Sequence, residues 1–230
     1  GHHIIDLVPG LIGLKGKQSF FADIAGIRAD AKVDLYIEST HVCSERGELQ
    51  LTNYGISGIP VFQLSRVAAR ALSEQKKVYA TLNFVPFWEK EQCLTYFKER
   101  FKKADEKHIG EALIGFFPEK LIPVLLEESH IKAAKYANRL QTEELERFID
   151  TVQGLRVDIT DWNTFDTAQV TAGGVDTDEI DAETMESKLC PGLYFAGEMV
   201  DIDGICGGYN LQWAWSSGAV AGIHVARELS

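Results

Sequence analysis

The sequence predicts an α+β protein: a strand-rich, barrel-like domain interrupted by a helical insertion and followed by the C-terminal part of an α/β unit. Three observations carry this expectation. Apolar residues alternate with polar ones at 32–38 and again at 154–159, the period of a half-buried strand. Between them, residues 86–150 hold 24 charges in 65 positions with no alternation, the pattern of a solvated helical surface. The last 60 residues have a third texture, glycine-rich turns leading into one long apolar helix. A chain of 230 residues suits one large domain or two small ones, and 12 Phe, 7 Tyr and 4 Trp exclude a disordered chain.

In chain order, Val33, Leu35 and Ile37 mark the first clear strand. A hairpin is expected next, His41–Glu45 and Glu48–Thr52, turning at Arg46-Gly47. Ser57 is placed to cap a helix over Val61–Glu74, with Pro60 in its first turn and Phe62, Leu64, Val67, Ala68, Ala71 and Leu72 on its apolar face. Val78–Phe84 returns to strand chemistry. Helices are expected near 89–104, 119–127, 130–138 and 142–152, as an insertion that the strand-rich domain can lose and still fold. Strands resume at Gly154–Ile159 and Asp166–Thr171. Leu193–Ala196 reads as a short buried strand, and Trp213 to Leu229 as the final helix.

The net charge of −11 is uneven: residues 151–230 hold three basic residues against 13 acidic ones. A surface that acidic repels phosphates, so nucleic acid and anionic membrane are not expected as partners. The scattered cysteines, Cys43, Cys93, Cys190 and Cys206, contain no C-x-x-C pair; free thiols in a reduced cytoplasm are the expectation. His41 with Cys43, the adjacent pair His2-His3, and the acidic run from Asp176 to Glu183 read as structural or solvated, and no metal site is expected.

Chemistry concentrates near the C-terminus. A glycine at a strand's carboxyl end, Gly197, lets a ligand approach the backbone, and the adjoining Glu198 can accept hydrogen bonds from hydroxyls. Ten residues on, Gly207-Gly208 opens a helix whose first amides have no intrahelical partner and face the positive end of the helix dipole. Cys206 reads as a packing residue.

These residues carry a resemblance. Tyr194-Phe195-Ala196-Gly197-Glu198, followed by Asp201-x-Asp203-Gly204-x-x-Gly207-Gly208-Tyr209-Asn210-Leu211-Gln212, resembles the C-terminal signature of a bacterial family of NAD(P)/FAD-dependent oxidoreductases. Its members include aminoacetone oxidase-like and 3-dehydro-bile-acid reductase-like flavoproteins. Thr171-Ala172-Gly173-Gly174-Val175, the Glu48–Gly58 segment and Leu64-Ser65-Arg66 match as well. The resemblance implies FAD as cofactor, NAD(P)H as co-substrate and a small organic substrate. It places Gly173, Gly174, Gly197 and Glu198 along the FAD, with Gly207, Gly208, Tyr209, Asn210 and Leu211 at the pyrimidine edge of the flavin. It assigns no catalytic acid or base.

Such flavoproteins also carry a G-x-G-x-x-G turn that holds the ADP pyrophosphate, and these 230 residues contain none. The expected division is therefore 1–7 as the end of a first FAD-domain segment, 8–84 with 153–170 as the strand-rich domain, 85–152 as the insertion and 171–230 as the C-terminal part of the FAD domain. On this reading the chain is a fragment, inactive alone. The alternative is a non-catalytic binding or interdomain-packing module.

Overall fold

The computed structural model describes residues 1–228. The N-terminal strand β1 (Ile4–Gly10) pairs antiparallel with β8 (Val170–Val175), so residues on both sides of the expected boundary at 7/8 share one small sheet. Six further strands close into a barrel: β2 (Leu14–Gly16), β3 (Arg28–Ile37), β4 (Thr40–Leu51), β5 (Gly55–Ser57), β6 (Val78–Asn83) and β7 (Leu155–Trp162). Their order around the barrel is β2-β5-β4-β3-β6-β7, and the neighbouring pairs are antiparallel. Alternation sets the register. Val33 faces Leu82, Leu35 faces Ala80 and Ala80 faces Val157, all buried, while Asp34, Tyr36, Tyr79 and Arg156 point outward.

A short helix, α1 (Phe21–Ile24), and a long one, α2 (Ile59–Ser73), pack against the barrel. Helix α2 buries Val61, Leu64, Ala68 and Ala71, spacings that keep one stripe inward. The insertion supplies α3 (Lys90–Lys102), α4 (Ile109–Leu113), α5 (Leu121–Glu128) and α6 (Thr142–Gly154). Its centre is a cluster of rings in which Phe97 meets Phe148 edge-on, centroids 5.5 Å apart. That cluster is continuous with the barrel core through Phe84, Val85, Val152 and Leu155, and the Phe84 amide donates to the Val152 carbonyl at 3.0 Å. The insertion thus shares one continuous buried cluster with the barrel.

Several local expectations are corrected. There is no turn at Arg46-Gly47: β4 runs straight through it, Gly47 opposite Ala31, and the hairpin turns instead at Glu38-Ser39, both at positive φ. A Cβ at Gly47 would lie 3.4 Å from the Pro60 ring, an ordinary contact, so neither a turn nor a lack of space requires glycine there. Ser57 is a strand residue opposite Gln50, and Gly58 caps α2 without a side-chain bond. In 130–138 only the 3₁₀ turn Ala137–Arg139 begins, since His130 at φ 58° ends α5. The strand expected at 166–171 begins at Val170, after a 3₁₀ turn at Phe165–Thr167.

The segment after β8 runs through loops to α7 (Tyr209–Glu228), which starts four residues before the expected Trp213. The expected end at Leu229 lies outside the described residues. Leu193–Ala196 is neither a ladder strand nor buried. Tyr194 forms an isolated bridge with Glu186, and Leu193 is exposed. A second, small core of Val175, Ile180, Met185, Val200 and Ala221 joins this region to α7. No helix of the described residues is long and apolar enough to cross a membrane.

Candidate functional site

A cavity of about 370 Å³ opens where the start of α7 meets the β1–β2 connection and the approach to β8. One side is backbone and amide: Gly207, Gly208, Asn210 and Leu211. The first helical bond there runs from Gln212 N to Gly208 O at 2.9 Å, which leaves the preceding amides of the turn without an intrahelical acceptor. Gly207 and Gly208 have φ of 121° and 90°, backbone that a side chain resists. At Gly208 a Cβ would meet nothing within 4 Å, so its glycine answers to conformation and to open space in front of it.

Two clasps hold this turn. The Asn210 Oδ1 accepts from Gly204 N at 2.8 Å while its Nδ2 donates to Gly204 O at 3.0 Å, closing the loop like a base pair. Trp213 donates its indole N–H to Gly197 O at 3.0 Å, and Gly197 N donates to the buried Ser217 Oγ at 2.9 Å. The 3₁₀ turn Gly197–Met199 is therefore fastened to α7, and it presents Glu198 to the cavity. One carboxylate oxygen of Glu198 accepts from Thr171 N at 2.6 Å. That bond ties the turn to β8 and orients the carboxylate.

Apolar side chains complete the lining: Leu11, Val170, Ile202 and Ile205, with Trp213. Among the described residues no lysine or arginine lines the cavity, and Glu198 is its one carboxylate. The site offers apolar surface, helix-start amides for an electron-rich edge and a carboxylate for hydroxyls, and its one charged side chain, Glu198, opposes an anion. Burial pushes the Cys206 thiol up, which keeps it protonated and argues against a thiolate redox role.

Of the expected site residues, Glu198, Gly207, Gly208, Asn210 and Leu211 line the cavity together. Gly197 sits behind Glu198, and Tyr209 is exposed at the helix start. Gly173 and Gly174 occupy a different position, buried in β8. A Cβ on Gly173 would strike the Asp6 carbonyl, and one on Gly174 would lie 2.5 Å from the Met199 carbonyl. The wall residues Leu11, Gln169 and Val170 carried no motif. Leu11, buried at φ 50° between Gly10 and Gly13, is visible as a special position only in the structure.

Elsewhere, His41 Nε2 lies 2.8 Å from Ser44 Oγ and 3.5 Å from Asp34 Oδ1, with Ser44 also donating to Asp34. One ring nitrogen faces both partners, so this group cannot pass a proton from hydroxyl to carboxylate across the imidazole. Burial pushes Asp34 up, but bonds from Lys32 and Ser44 outweigh it and hold the carboxyl below its ordinary range. His2 and His3 bond separately, to Ser187 and Asp176. Among the described residues the four cysteines are unbridged and no cluster of ligating side chains could hold a metal.

Comparison with known proteins decides the kinship. The model of the HI0933-like protein Rossmann domain matches residues 1–224. The chain belongs to this HI0933-like family. It is 45% identical over 222 residues to a 3-dehydro-bile acid delta(4,6)-reductase of Clostridium scindens, covering 96% of this chain and 54% of that protein. It is 33% identical over 172 residues to the ribosomal RNA dihydrouridine synthase of Escherichia coli, covering 75% of this chain and 40% of that one. The Haemophilus influenzae protein of the same name is 30% identical over 198 residues, 85% and 47% of the two chains. The chain thus spans about half the length of the curated relatives it matches. Membership in this family agrees with the resemblance read from its motifs.

Proposed function

We propose that this chain forms the flavin-facing part of an FAD-dependent oxidoreductase that acts on a small organic substrate with NAD(P)H as electron donor. The observation that carries it is the convergence, on one cation-free cavity, of the Glu198 carboxylate and the amides at the start of α7. FAD, when bound, supplies hydride chemistry; the chain supplies orientation and electrostatics. The amides after Gly207 and the positive end of the α7 dipole stabilise negative charge at a ring edge placed against them. Glu198, aimed by Thr171, accepts from ribityl-type hydroxyls. Leu11, Val170, Ile202 and Ile205 exclude water from the ring body.

The pyrophosphate of FAD finds no cation among the described residues of this cavity, and the G-x-G-x-x-G turn that holds it in such proteins is absent from these residues. On this reading the chain alone binds FAD weakly and is inactive. The similarity to the reductase supports a small-molecule substrate. The acidic C-terminal third weighs against an RNA partner, although two relatives are named for ribosomal RNA. The test joins this chain to a dinucleotide-binding segment that carries the glycine-rich turn. The joined protein should purify yellow and be bleached by NADH or NADPH, while the chain alone stays colourless and shows no saturation at low micromolar FAD. A colourless joined protein defeats the proposal.

A further inference from the structure

The apolar stripe that α2 turns into the barrel leaves another stripe facing away from it, and Gln63, Arg66 and Arg70 lie along that one at i, i+3 and i+7. All three reach the same six-residue loop, more than 130 positions away in sequence. Gln63 Oε1 accepts from Cys206 N at 3.0 Å. Arg66 Nη1 lies 3.0 Å from both carboxylate oxygens of Asp203, whose side chain is only 10% exposed. Arg70 Nη2 contacts Asp201 Oδ1 at 3.4 Å. Between them, Ser65 Oγ accepts from Ile12 N at 3.2 Å and donates to Phe62 O at 2.7 Å, holding the connection that carries Leu11. One helix therefore grips both segments that meet at the cavity.

The grip continues into the ligand-facing turn. Asp203 is held from α2, and its neighbour Gly204 is held by Asn210 of α7. The two clasps meet at adjacent residues, so a displacement of Asp203 is passed directly to Gly204 and to the turn at Gly207-Gly208. Without Arg66–Asp203 the loop keeps Gln63 on Cys206 N and Asn210 on Gly204, and it leads into Gly207-Gly208, both at positive φ.

We propose that the Gln63–Arg66–Arg70 face of α2 is a positioning element that sets the 201–206 loop, and through it the amides at the start of α7, against the barrel, with Arg66–Asp203 as its central contact. The consequence for cofactor binding rests on the function proposed above; the ordering of the loop does not. These are positioning residues, since none of the three lines the cavity. The motif Leu64-Ser65-Arg66 then has a division of labour: Leu64 fills the barrel, Ser65 holds the β1–β2 connection and Arg66 holds the loop.

Hydrogen exchange on the whole chain, without flavin, tests this. In Arg66→Ala and in Asp203→Asn, amides of residues 203–211 should exchange about tenfold faster, the order expected for a lost bond to a charged group, while those of β3 and β6 keep their protection. The charge-exchanged pair Arg66→Asp with Asp203→Arg should restore protection, and 1 M salt should loosen the wild type in the same segment. Unchanged exchange at 203–211 in both single variants overturns the proposal. So does an equal rise in β3 and β6, which would mean general destabilisation, or a charge-exchanged pair no better than either single variant. Because no flavin enters the measurement, its outcome stands whether or not the chain serves an FAD enzyme.

Discussion

Trp213 donates its indole N–H to the carbonyl of Gly197, 3.0 Å away, across the gap between the first turns of α7 and the turn that presents Glu198. The bond makes the carboxylate and the helix-start amides one rigid unit, since Ser217 fastens the same glycine from the next turn of the helix. Trp213→Phe keeps the ring and removes the donor. It should lower stability by about 1 kcal/mol, the worth of one hydrogen bond, read as a fall in the urea midpoint with an unchanged slope. An unaltered midpoint would show that the turn is held without it.

The glycines of the signature separate into two kinds. Gly174→Ala forces a Cβ to 2.5 Å from the Met199 carbonyl at φ 135°, with backbone on the receiving side. Gly208→Ala meets open space at φ 90° and bears conformational strain alone. Strain at such a position costs about 1–3 kcal/mol. The alanine at 174 should therefore lower the thermal midpoint clearly more than the alanine at 208, because a collision is added to the strain. Equal losses would refute the distinction.

Deleting 86–150 and bridging the ends should abolish cooperative unfolding. Phe84, Val85, Val152 and Leu155 belong to one core with Phe97 and Phe148, and exposing several such side chains costs about 2–3 kcal/mol each. A variant that melts with a sharp heat-absorption peak would show that the barrel stands by itself.

The alternation in β3, β6 and β7 was legible because each strand has one wet and one dry face, and α2 because its apolar stripe is regular. The hairpin at Gly47 misled because a glycine can sit within a strand, here in register opposite Ala31, as well as in a turn. Gly47 lies within β4 beside the Pro60 ring, while Glu38 and Ser39 turn the chain at positive φ without a glycine. The cavity's glycine-and-amide wall was legible from its motif. Its apolar wall was not, since Leu11, Val170 and Ile205 look like any core residues until the fold brings them together. Gly173 and Gly174 show the converse, a motif whose glycines admit backbone rather than face the cavity at α7.

His3 and Asp176 form a pH-dependent latch at the edge of the small sheet, 3.0 Å apart. The hydrogen bond to Asp176 raises the imidazole above its ordinary value, and the same bond holds the carboxyl below its own. A raised histidine stabilises fully below its unfolded pKa and loses that contribution as pH rises through the folded one. The lowered aspartate stabilises above its unfolded pKa and loses the contribution as pH falls through the folded one. The latch therefore holds in mildly acidic solution and opens on either side. By NMR titration, the His3 ring should titrate at lower pH in Asp176→Asn; an unmoved midpoint would dissolve the latch.

Glu198 offers the sharpest test of the site, because its two oxygens have different work. One accepts from Thr171 N at 2.6 Å, and the carboxylate as a whole borders the cavity. Glu198→Gln can keep the amide bond through its carbonyl oxygen while losing the negative charge; Glu198→Ala loses both. In this chain joined to a glycine-rich dinucleotide-binding segment, FAD affinity should fall for both variants. The alanine should lose more, because Thr171 N is left without its acceptor and the turn is freed. Bonds to a charged acceptor are worth about 1.5–3 kcal/mol, so a fall of tenfold or more is expected for the alanine, since each 1.4 kcal/mol is a factor of ten. Thermal unfolding without flavin should separate the two effects: the glutamine near wild type, the alanine lower. If both variants bind FAD as tightly as the parent, the carboxylate serves only to tie the turn to β8, and the hydroxyl-binding role assigned to it is wrong.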